Sequence, residues 1–231
     1  VQQRTVARTE SLPVSGGPVS LAESNTSSDT PLLRSPRELT LSERDRLQVQ
    51  QSLDLWQKGQ QTAALASLQD YIKREPLAHQ SREILAKLLL QQGDSITALE
   101  VTDAGLQLAP SHPGFRKIKA RVLLAAGLPG EATAMLRDSA PSVGADTEYH
   151  DLLATAQLSS GRYAEAALSY QALVGIDQQQ ARWWYGLAAA QDGEGRTYEA
   201  AQAYEQALKL GNLSAGLRQS SQQRIASIRQ N

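Results

Sequence analysis

Five glycines, Gly59, Gly93, Gly127, Gly161 and Gly195, follow one another at a constant interval of 34 residues, and five residues after each comes an alanine: Ala64, Ala98, Ala132, Ala166 and Ala200. Glycine is poor in a helix interior but common just past a helix end. The stretch "LLLQQGDSITALE", residues 88–100, therefore reads as a helix that stops, turns and restarts. Five such stops in one phase constrain the fold more than any other feature. An internal repeat of this length is a unit that cannot bury its apolar face alone and must stack on its neighbours. The expected fold class is all-α, a solenoid of helix pairs.

With the glycines at position 15, the units are 45–78, 79–112, 113–146, 147–180 and 181–214, each a helix A, a glycine turn and a helix B. Position 8 is Ser52, Ala86, Ala120, Ala154 and Ala188, and position 20 is the alanine series. Small side chains at both places let the paired helices approach to about 8–10 Å. Leu85, Leu89, Leu153, Trp184, Leu187, Tyr170, Tyr204 and Leu208 supply apolar faces at helical spacing. The third unit departs from the pattern. Pro141 should cut its helix B short, because proline lacks an N–H and clashes with the preceding turn. Lys119, like Gln51 in the first unit, stands where a leucine is usual.

Residues 1–39, rich in Ser, Thr, Pro and Gly without helical periodicity, are expected to form a disordered linker. Order should begin at Thr40, which has capping-box spacing to Glu43. Residues 215–231 are polar except for Leu217, Ile225 and Ile228 and read as a C-terminal capping helix over the last repeat. A net charge of −1 gives no argument for a nucleic-acid or anionic-membrane partner, and the lack of cysteine excludes disulfide and thiolate chemistry. No stretch approaches the ~18 consecutive apolar residues of a membrane-spanning helix. The sequence starts at Val1 and not at Met, which leads to the expectation that a preceding signal or anchor has been removed.

Catalytic motifs are lacking: there is no G-x-S-x-G elbow, no phosphate-binding G-x-x-x-x-G-K-[ST] loop and no H-E-x-x-H pair. His79, His112 and His150 fall in separate units near helix starts, so they read as capping or surface histidines. No enzyme activity, cofactor or metal is expected.

The Gly/Ala phase, together with the W-x-x-L-A and A-x-x-x-Y-x-x-A-L patterns of "WYGLA" and "AQAYEQAL", resembles the tetratricopeptide repeat family across 45–214. That resemblance implies a right-handed superhelix whose concave face is lined by positions 2, 5, 9, 12 and 13 of helix A. On that rule Glu83, Lys87, Lys117, Arg121, Glu148, Asp151, Arg182 and Tyr185 lie along one groove. Two readings of "FRKIKAR", 115–121, stand: a solvated helix face, or a positive centre of Lys87, Lys117 and Arg121 for a carboxylate or acidic segment. In "RWWYG", 182–186, the resemblance gives Trp184 a packing role and lets Trp183 face the preceding repeat, leaving Tyr185 as the exposed aromatic.

The phrases "SREILAKLLLQQGD", "GFRKIKARVLL", "EYHDLLATAQ" and "RWWYGLAAAQDGEGR" are also similar to the MshN-type family of biogenesis proteins for mannose-sensitive haemagglutinin (type IV) pili. This second resemblance implies a periplasmic repeat domain of a single-pass inner-membrane protein, touching the membrane only through its anchor. It also implies protein partners among pilus assembly components and no nucleic acid. A tetratricopeptide adaptor of another envelope system, in secretin assembly or cytochrome c maturation, is the alternative.

Overall fold

The computed structural model describes residues 37–230, so the expected linker over 1–36 lies outside the described residues. Leu39–Asn231 forms one unit, and it holds all eleven described helices. In chain order they are α1 (Leu41–Gln57), α2 (Gln61–Arg74), α3 (His79–Gln91), α4 (Ser95–Leu108), α5 (Pro113–Ala125) and α6 (Pro129–Arg137), then α7 (Thr147–Ser159), α8 (Tyr163–Ile176), α9 (Ala181–Gly193), α10 (Thr197–Leu210) and α11 (Ala215–Gln230). Among the described residues there is no strand, and no helix is long and apolar enough to cross a membrane.

The turn between paired helices is the same five times. Each of Gly59, Gly93, Gly127, Gly161 and Gly195 has φ between +74° and +85°, a left-handed conformation that costs an L-residue with a Cβ. At the second turn Gly93 N–H donates to Leu90 O and Asp94 N–H to Leu89 O, so the last carbonyls of α3 are satisfied before the chain restarts. The small residues sit where the helices meet: Ser52, Ala86, Ala120, Ala154 and Ala188 and all five position-20 alanines are fully buried. Thr40 closes a capping box with Glu43, which starts α1 four residues ahead of the 34-residue phase.

Between units, position 4 of helix A carries a tether. Arg82 donates to Pro76 O (3.0 Å), Arg116 to Pro110 O (2.9 Å), Trp184 to Gln178 O (2.9 Å) and Arg218 to Leu213 O (3.2 Å), while the His150 ring bonds Pro141 O (2.7 Å). Five side chains of three chemistries hold the turn that leads into their own helix. Arg218 occupies that position because α11 starts at residue 215, 34 residues after α9 at 181. The C-terminal helix is therefore a sixth helix A, in register with the others.

Pro141 does its expected work: α6 ends at Arg137 after 9 residues, where α4, α8 and α10 run 14. Ser139 turns with φ 67°. The carbonyls released at that end are bonded by Arg116, which donates to Met135 O and Asp138 O, and by the buried Tyr149 hydroxyl, which donates to Leu136 O at 2.7 Å.

Candidate functional site: the face of the A helices

Consecutive A helices touch one another, α1 with α3, α3 with α5, α5 with α7 and α7 with α9, whereas no two consecutive B helices make comparable contact. A stack that is tighter on one side curves toward it, so the A helices line the inner face. All eight residues expected in the groove lie on them, but their charges do not form a positive centre.

Each cation there is matched by a carboxylate. Lys87 Nζ is 2.6 Å from Glu83 Oε1 within α3. Between α5 and α7, Lys117 Nζ reaches Glu148 Oε2 at 2.7 Å and Asp146 Oδ2 at 2.9 Å, and Arg121 takes the other oxygen of Glu148. Between α7 and α9, Arg182 meets Asp151 Oδ2 at 3.0 Å. The face is a ladder of alternating charge whose ion pairs join α5 to α7 and α7 to α9. Asp146, which also accepts from Tyr149 N–H as the N-cap of α7, is a member the sequence reasoning missed. Its cap position, directly before a helix start, was the available signal.

The ladder shows in the titration of its members. Hydrogen bonds from Lys117, and next from Arg121, hold the Glu148 carboxyl at about 2 against the opposing effect of burial. Burial acts to lower the Lys117 ammonium, yet bonds to Glu148 and Asp146 outweigh it and the net shift is upward. Lys117, with a side chain only 12% exposed, is thus a structural cation of the α5–α7 joint. Asp151 moves the other way: burial raises its carboxyl, and the charge of Arg182 recovers only part of that cost.

Tyr185 is a correction. It is half-buried, because the in-register α11 covers it; its hydroxyl lies 3.3 Å from Ser220 Oγ, and its ring packs edge-on to Tyr204. Trp184 is partly buried against Ala181, Ala207 and Leu213, with its indole N–H serving as the tether. Trp183 packs on the core shared by the fourth and fifth repeats.

Near the other end, the Glu83 carboxylate rests over Gly114, where an added Cβ would collide with it. His112 caps α5 by accepting from Phe115 N–H, and its ring lies 5.6 Å from that of His79 at a tilt of 50°. His150 is a tether. Among the described residues no group of three or more His, Cys, Asp or Glu is placed to hold a metal ion.

Comparison with known proteins places this geometry. One tetratricopeptide repeat model matches residues 49–113 and 152–215, and a second matches 89–156. No curated protein sequence matches. Similar solved structures include YrrB, described as a tetratricopeptide protein with an unusual peptide-binding site, at 14% identity and a TM-score of 0.65, covering 76% of this chain and 90% of YrrB. MamA (residue 41 to its end) from Desulfovibrio magneticus RS-1 aligns at 20% identity and a TM-score of 0.62, covering 74% of this chain and 97% of its own. A thermophilic tetratricopeptide protein of Thermus thermophilus aligns at 18% identity and a TM-score of 0.53, covering 79% and 99%. At these identities the likeness is one of fold.

Proposed function

The chain belongs to the tetratricopeptide repeat family, and from that premise we propose that it captures a segment of a partner protein along its A-helix face, as a scaffold of the bacterial envelope. Proteins of this family act as protein-interaction scaffolds, and the face of α3, α5, α7 and α9 is the surface on which this chain offers dense, ordered polar groups. The ladder of alternating charge carries the reading: Glu83–Lys87, Lys117–Glu148–Arg121 and Asp151–Arg182 present both signs in sequence. A protein segment with alternating charge can match such a surface. A nucleic-acid backbone, uniformly negative, would meet the carboxylates.

The finer assignment, to biogenesis of mannose-sensitive haemagglutinin or another type IV pilus, is supported by the four phrases similar to the MshN-type family. On that assignment the domain lies in the periplasm, tied to the inner membrane by an anchor, and its partners are other pilus assembly components. A photo-crosslinking residue at Arg182, on the A-helix face, tests both levels in cells of the source bacterium. Crosslinks from Arg182 and none from Tyr198 on the B-helix side support the groove, and a pilus component as the crosslinked species supports the pilus. Crosslinks from Tyr198 alone would move binding to the outer face.

A further inference from the structure

Resting on the reading that the A-helix face binds a protein segment, we propose that the cleft between the fourth and fifth repeats selects a basic side chain, lysine or arginine, of that segment. The cleft, of about 470 Å³, is walled by Asp151 of α7, by Ile176 and Asp177 at the end of α8, and by Gln180, Arg182 and Trp183 at the start of α9. It is where the charge ladder fails to balance. Lys117, Arg121 and Arg182 pair with Asp146, Glu148 and Asp151, and among the described residues one further carboxylate of the cleft, at the end of α8, has no cation.

That carboxylate is Asp177. Its oxygens accept from Gln179 N–H at 2.8 Å and from the Gln180 amide at 2.9 Å, which favour its ionised form, but among the described residues no cation pairs with it. The second deficit is at Asp151, whose Oδ2 meets Arg182 while Oδ1 is buried without a well-formed hydrogen bond, the Trp183 side chain favouring the carboxylate less than Arg182 does. A buried carboxylate oxygen without a well-formed bond is costly, and a charge-assisted bond to it is correspondingly favourable. Arg182, 63% exposed and held at one point, is the wall that can give way to an incoming donor.

An ammonium or guanidinium entering here supplies both deficits, with a donor for Asp151 Oδ1 and a counter-charge for Asp177. Its aliphatic stem lies along Ile176, 54% exposed, and Trp183, as long basic side chains do on apolar surface. An acidic side chain would find one cation, already engaged, among three carboxylates. The preference is therefore the reverse of a positive groove that holds a carboxylate.

Two acetylated, amidated 12-residue peptides, alike except for lysine or glutamate at alternate positions, test this against the isotopically labelled protein at 0.15 M salt. The lysine peptide should shift the Trp183 indole N–H and the Asp151 and Asp177 amides. The double variant Asp151→Asn/Asp177→Asn should weaken its binding tenfold or more with the helical fold retained, and Asp103→Asn on the outer face should not. Glutamate-peptide binding at these signals, or lysine-peptide binding unaffected by the double variant, overturns the proposal. Shifts confined to α3 and α5 overturn the cleft while leaving the groove standing. No shift on any A helix with either peptide overturns both.

Discussion

In the fifth repeat α10 runs 14 residues, and Leu187, Trp184, Tyr204 and Leu208 pack the space between its two helices and the neighbours. In the third repeat α6 stops after 9, and Lys119 stands at the place of Leu187, with its Nζ 2.7 Å from Asp103 on α4. Yet both keep the same fully buried pair at positions 8 and 20, Ala120 with Ala132 and Ala188 with Ala200, and the same glycine turn. The fifth repeat is held by apolar packing throughout, whereas the third keeps a smaller apolar cluster around Leu136 and closes its shortened end with polar bonds from Arg116 and Tyr149. A repeat can lose a third of a helix and a core leucine while its helix contact, turn and tether remain.

The largest expected effect falls on the third repeat. Arg116→Ala removes the donor to Pro110, Met135 and Asp138 carbonyls, and should cost about 3 kcal/mol, against about 1 for Trp184→Phe, which loses one bond to Gln178 O. Urea unfolding measures both, and equal losses would end the distinction between a polar and an apolar repeat. Next comes what the repeats share: Ala132→Leu and Ala200→Leu should each destabilise by roughly 1–3 kcal/mol through overpacking, with melting temperatures falling together.

Smaller still are Gly127→Ala and Gly195→Ala. An added Cβ at either glycine meets nothing within 4 Å, so the cost is only that of a left-handed residue, about 1 kcal/mol at both turns. A much larger loss in the third repeat would show that its short helix makes the turn more than a hinge.

The smallest effect is one of pH at the joint of the second and third repeats. Burial lowers the His112 ring below its ordinary 6.5, against the raising charge of Glu83 and aided by His79 and Lys87. The folded chain thus prefers the neutral ring and the unfolded chain binds more protons, so stability rises with pH across this range and is lost as pH falls below about 6.5. Melting temperatures from pH 8 to 5 should show this step in the parent, and a weaker one in His112→Asn, whose amide can still cap α5.

The periodic part of the fold was legible because its causes are local. A glycine at φ near +77°, an alanine where two helices close to contact and a proline that ends α6 each act through the chain's own backbone or through the adjacent helix, and each leaves the same residue type at the same phase. Thr40 with Glu43 belongs to this class, as does the polar tail that became a helix. The register of α11 is the one periodic feature the composition hid, since glutamines and serines replace the repeat's usual faces.

What only the tertiary structure decided concerns side chains that meet across units. Arginine, histidine and tryptophan serve one tether, because a turn carbonyl asks for any N–H at the right height and not for a residue type. Lys117 pairs with a carboxylate 31 residues away, and Arg182 with Asp151 on the next A helix over, so in a run of basic residues that stands alone in the sequence Lys117, Lys119 and Arg121 are neutralised in the fold while Arg116 bonds carbonyls. Tyr185 is covered by a helix that begins 30 residues later. The sequence by itself set the helices, their turns and the face they share. Which charges on that face stay unbalanced depended on distances between helices, which no local spacing encodes.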